Sequence, residues 1–79
     1  MGQANLPVAS GEKYAQAFER CGWTRLTRRG RGKHFLLTKA GATPTLSIPD
    51  HPEVKRALLA AQLKLAGISE ADYLANFRR

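Results

Sequence analysis

Apolar positions return at helical spacing first at Tyr14, Ala17, Phe18 and Cys21, with Glu12, Lys13, Gln16, Glu19 and Arg20 on the other side of the cylinder. Ser10 is placed to cap that helix, Glu12 suits the positive end of its dipole, and Gly22 fits the stop. Three stretches of strand character follow: Trp23 to Arg29, Lys33 to Lys39 and Thr45 to Ile48. Gly30-Arg31-Gly32 and Ala40-Gly41-Ala42-Thr43-Pro44 link them, and both links are short enough for hairpins, so the pattern predicts an antiparallel meander. With a period of two, Leu26, Phe35, Leu37, Leu46 and Ile48 share a core-facing side, and His34, Leu36 and Thr38 take the opposite face.

Pro49-Asp50-His51-Pro52 interrupts the alternation. A second helix is expected to start at Pro52 or Glu53, run to about Ala66 and stop at Gly67. It carries two apolar stripes. Val54, Leu58, Ala61 and Leu65 form one, and Leu59, Leu63 and Ala66 form the other. One covers the sheet; Leu59 and Leu63 are assigned to a short last helix, capped by Ser69 and Asp72 and carrying Tyr73, Leu74 and Phe77. A docking surface for another protein is the sharper alternative for that stripe. The order α-β-β-β-α-α predicts a two-layer α+β domain, residues 1–79, with helices on one face of a three-stranded antiparallel sheet. Residues 1–9 read as a flexible leader.

Composition narrows the class. A chain of 79 residues buries only about 60% of its unfolded surface, and 43% hydrophobic residues suffice for one small core. The apolar run Ala57-Leu58-Leu59-Ala60-Ala61 is far short of the roughly 20 residues that span a bilayer. MGQANLPVAS has no hydrophobic signal core, and Leu6 stands where a myristoylation motif wants Ser or Thr. A single cysteine allows no internal disulfide, so a cytoplasmic protein is expected, with Cys21 a small apolar residue rather than a nucleophile.

Charge changes the picture more. Of 13 Lys and Arg, seven (Arg20, Arg25, Arg28, Arg29, Arg31, Lys33, Lys39) lie between Arg20 and Pro49 without one acid, while the other cations are balanced by six acids. The whole formal charge of +7 thus belongs to one third of the chain, as a polyanionic partner would require. Solvated hairpin charges are the plain alternative for Arg28, Arg29 and Arg31. Lys55 and Arg56, near a helix start, run against the dipole preference and favour an anion there. In the basic run sits His34, a residue type that moves protons near neutral pH, although a lone strand histidine is ordinarily a surface residue. His51 beside Pro52 reads as a loop or capping residue, and Phe18 and Trp23 as core. Two histidines and one cysteine, widely scattered, make no metal-ligand set, and no cofactor is expected.

Leu6-Pro7 before Ser10-Gly11, then Cys21-Gly22-Trp23, Arg29-Gly30-Arg31-Gly32-Lys33-His34, Ile48-Pro49-Asp50-His51, Val54-Lys55-Arg56 and Leu65-Ala66-Gly67-Ile68-Ser69 resemble, in that order, the HicA family of bacterial toxins. The resemblance covers residues 6 to 77. It implies a double-stranded-RNA-binding-domain-like (dsRBD-like) fold and a ribonuclease toxin that cleaves mRNA and is held inactive by a HicB-type antitoxin. The family's catalytic histidine falls on His34. Lys33 stands where the family usually has serine, and Ala57-Leu58-Leu59-Ala60 where many members have Gly-Thr-Leu-Arg.

The chemistry asks for little more. RNA carries its own nucleophile in the 2′-OH, so an imidazole that removes that proton and donors for the charged phosphoryl oxygens are enough. The RNA-binding set is Arg28, Arg29, Arg31, Gly32, Lys33, Lys55 and Arg56, with Gly30 and Gly32 allowing close backbone approach to a phosphate. Lys33, His51 and water all stay open as the acid for the leaving 5′-oxygen. Two other readings compete: a non-catalytic RNA-binding module of the same fold, and a domain whose basic face meets an acidic protein.

Overall fold

The computed structural model describes residues 6–26 and 34–78. Its elements run α1 (Gly11–Arg20), β1 (Thr24–Arg25), β2 (His34–Thr38), β3 (Leu46–Pro49), α2 (Arg56–Ala66) and α3 (Glu70–Phe77). The strands form one antiparallel sheet in the order β1-β2-β3. This is the expected α+β order α-β-β-β-α with a short C-terminal helix.

Local chemistry explains most boundaries. The Ser10 hydroxyl accepts the Lys13 N–H at 3.2 Å, and the Ser69 hydroxyl accepts the Asp72 N–H at 3.1 Å, so α1 and α3 begin at satisfied caps. Gly67 closes α2 at φ 70°, a left-handed turn that glycine adopts without steric cost. Tyr14, Ala15, Ala17 and Phe18 of α1 are buried against the sheet, where Phe35, Leu37, Leu46 and Ile48 alternate inward as the period of two requires. Trp23 joins the same core.

α1 lies across the sheet, α2 along β3, and α3 packs on α1. The α1–α3 contact is aromatic, with Phe18 and Tyr73 rings 4.8 Å apart and Phe77 beside both Tyr14 and Tyr73. Leu59 and Leu63 therefore turn into the shared core from the β3 side, and α1 rather than α2 carries the C-terminal helix. That corrects the expected pairing and leaves neither leucine free to dock a partner. In the other stripe Val54 is buried and Leu58 half-buried, and Ala61 and Leu65 open outward, Leu65 52% exposed. Gln62 closes the free edge of β3, its side-chain oxygen accepting the Ser47 N–H at 3.1 Å.

Three further expectations are corrected. Leu26 does not face the core: it is 38% exposed, because Trp23, just before β1, and Arg25 take the inward parity. α2 begins at Arg56, not at Pro52 or Glu53, since Val54 is held in an isolated antiparallel bridge with Ala9 (N–H to carbonyl 2.8 Å) and its own carbonyl accepts the Tyr14 hydroxyl. Of the expected flexible leader, residues 6–9 are tied into the fold, and the rest lies outside the described residues. Leu6 is buried, and the Leu6 carbonyl accepts the Arg56 Nε–H at 2.7 Å. Among the described residues no helix is long and apolar enough to cross a membrane.

Candidate functional site

His34 opens β2, and its face follows from its neighbours. Phe35 and Leu37 are drawn into the core, so alternation puts His34, Leu36 and Thr38 on the outer face, as expected. His34 is exposed. Across the strand pair stands Pro49, the last residue of β3.

Two contacts fix that end of the sheet. The Gly11 N–H donates to the His51 carbonyl at 3.0 Å, and Gly11 lies so close to β3 that a Cβ there would fall on the Pro49 carbonyl oxygen. The start of α1 thereby holds the residue opposite His34. On the inner face, Arg25 donates to Glu12 at 2.9 Å and to Glu19 at 3.1 Å, and its guanidinium lies over the Phe35 ring at 4.8 Å from the centroid. The hydrogen bond to Glu12 leads in raising the Arg25 pKa. The charge is spent inside the fold, tying β1 and β2 to α1.

This redistributes the basic stretch. Arg25 is neutralised, and Arg20 donates to the Asn76 carbonyl at 3.1 Å, closing the end of α3. Lys39 stays exposed. Arg28, Arg29, Arg31 and Lys33, with Gly30 and Gly32, lie outside the described residues. Lys55 is the exposed N-cap residue of α2 without a side-chain cap of its own, and Arg56 follows it, divided between the Leu6 carbonyl and solvent. Between the end of β3 and this helix start the chain passes through Asp50, His51, Pro52 and Glu53. His51 is an exposed loop residue, as expected.

A cleft of about 340 Å³ opens where β3 meets α2. Pro49, Val54, Ala57 and Leu58 give it apolar walls, and His51, Glu53 and Lys55 supply polar groups. The sequence pattern missed it, because it exists only where the helix start is delayed to Arg56. No local signal marks the delay, because Pro52 suits a first helical position and the contact that overrides it comes from Ala9.

The cysteine is half-buried beside the core, and desolvation raises the Cys21 thiol pKa, which keeps it in the unreactive form. Among the described residues no three His, Cys, Asp or Glu side chains gather as a metal site.

A family model described as the HicA toxin of bacterial toxin-antitoxin systems matches residues 11–68, from the start of α1 to just past α2. No curated protein and no solved structure gives a significant match.

Proposed function

This chain belongs to the HicA family of bacterial toxins, and on that premise we propose that it is an endoribonuclease that cuts mRNA through His34 and is restrained by a HicB-type antitoxin. The observation that carries the reading is the exposed imidazole of His34 at the start of β2, paired with Pro49, which the start of α1 holds through its close contact with Gly11.

The reaction balances without a cofactor. His34 takes the proton of the 2′-OH, the 2′-oxygen attacks the adjacent phosphorus, and the P–O5′ bond breaks. A proton from an acid neutralises the leaving 5′-oxygen, giving a 2′,3′-cyclic phosphate and a free 5′-OH. Lys55 is the described cation nearest in sequence to the end of β3, and with the basic stretch at residues 28–33 it supplies the charge that grips the backbone. The setting is the cytoplasm, where mRNA and an antitoxin meet the toxin.

Cleavage of a mixed-sequence RNA in EDTA by this protein and by His34→Gln tests the proposal. Cyclic-phosphate fragments with the parent and none with the variant are expected. Equal cutting by both would remove His34 from the chemistry. Retention of RNA without cutting by either would favour the non-catalytic module. One observation supports that second reading: Leu59 is buried and Ala60 half-buried where the family pattern offers Leu-Arg, so this turn of α2 presents no cation.

A further inference from the structure

The cleft between β3 and α2 is unused by the proton transfer, yet it adjoins it: Pro49 is both a wall of the cleft and the cross-strand partner of His34. We propose that this cleft is a nucleobase pocket that receives a base of single-stranded RNA beside the scissile phosphate and prefers bases bearing an exocyclic amino group. The inference rests on the ribonuclease reading for its substrate class and adds a determinant of sequence preference.

The chemistry of the lining selects the occupant. Pro49, Val54, Ala57 and Leu58 offer flat and branched apolar surface, which suits the face of a planar ring and not a hydrated phosphate. Glu53 argues the same way: its carboxylate repels a phosphate but accepts hydrogen bonds from a base edge. Cytosine, adenine and guanine present an amino group to such an acceptor, whereas uracil has only its ring N–H. Lys55, exposed and uncommitted to a side-chain cap, is the group on this lining that suits the sugar-phosphate backbone. His51, an exposed imidazole on the same lining, offers a ring for stacking.

The test is fluorescence anisotropy of labelled five-nucleotide RNAs, oligo(A), oligo(C) and oligo(U), on the non-cutting His34→Gln protein and on the same protein carrying Ala57→Trp or Glu53→Gln. Ala57 is exposed on α2, so the indole fills the cleft without displacing core, and circular dichroism checks the fold. Oligo(A) and oligo(C) should bind about tenfold more tightly than oligo(U), the discrimination that one good edge contact provides. Ala57→Trp should bring all three to the oligo(U) level, and Glu53→Gln should narrow the preference. Equal affinity for all three, no binding of any, or a uniform gain on Glu53→Gln would overturn the pocket, the last because it marks a purely electrostatic carboxylate. Glu53→Gln and the base series decide the matter even if the Trp variant unfolds. Cutting by the parent protein is scored separately: a working pocket without cutting sinks the nuclease alone, and cutting without base preference sinks the pocket alone.

Discussion

A hydroxyl has one proton to give and lone pairs with which to receive, and Tyr14 uses both. Its proton is shared between the Pro7 and Val54 carbonyls, each 2.8 Å away, and its oxygen accepts the Ala9 N–H at 3.1 Å. Burial is the leading cause that pushes the phenol pKa up, so the group stays protonated as this geometry needs. Tyr73 repeats the device, donating to the Tyr14 carbonyl at 3.1 Å, and burial raises its pKa further still. Tyr14→Phe preserves the ring and strands two carbonyls and an N–H. It should cost roughly 1–3 kcal/mol, since buried groups left without partners carry their full desolvation penalty. In a domain of this size that is a fall of about 4–8 °C in Tm per kcal/mol, read by thermal denaturation. A Tm unchanged by Tyr14→Phe would mean that water replaces the hydroxyl. Residues 6–9 should also become open to proteolysis, because the Tyr14 hydroxyl, the Val54 bridge and Arg56 are what bind them.

Among the elements, the start of α1 matters most to the site. Alanine is a better helix former than glycine by about 1 kcal/mol, and Gly11 has no positive φ that would demand glycine. Propensity alone would make Gly11→Ala stabilising. The contact with the Pro49 carbonyl reverses the sign: the added methyl pushes α1 and β3 apart, at a cost of roughly 1–3 kcal/mol for overpacking. RNA cleavage should fall more than stability explains, because the displaced strand end is the one opposite His34. A variant as stable and as active as the parent would show that the helix start shifts freely. The same junction marks the limit of what the pattern could reveal. The outward face of His34 was legible because Phe35 and Leu37 flank it and the period of two leaves no choice. In β1 both parities were open, with one apolar residue on each, Trp23 on one and Leu26 on the other. Trp23 and the carboxylates of Glu12 and Glu19 decided against Leu26, and those carboxylates lie on another element. The helix start was misplaced for the same physical reason: local signals at Pro52 and Glu53 lost to a backbone bridge from Ala9, 45 residues away in sequence. Local patterns locate elements and faces; contacts distant in sequence set their ends and hence the cleft.

On the scale of the whole molecule, formal charge and usable charge differ. The sequence carries +7, yet Arg25 is paired with two glutamates. Counterion release makes this measurable, because each phosphate that a cation neutralises on single-stranded RNA adds about 0.7 to the slope of log affinity against log salt. If Arg28, Arg29, Arg31, Lys33 and Lys55 each meet one phosphate, the slope should be roughly −3 to −4. Lys55→Ala should then lower its magnitude by about 0.7 and leave the Tm unchanged, since Lys55 makes no side-chain cap. Arg25→Met should do the reverse. It removes a cation from the same stretch of sequence, but the loss is of the bridge between β1 and α1, about 1–2 kcal/mol of stability, with the slope intact. Parallel titrations of both variants with a labelled RNA, from low to physiological salt, separate the two roles. Equal changes in slope would show that Arg25 leaves its carboxylates to meet RNA, so that the basic stretch acts as a single field. Divergence would mean that the fold sorts its cations, spending Arg25 on architecture and keeping Lys55 for the substrate.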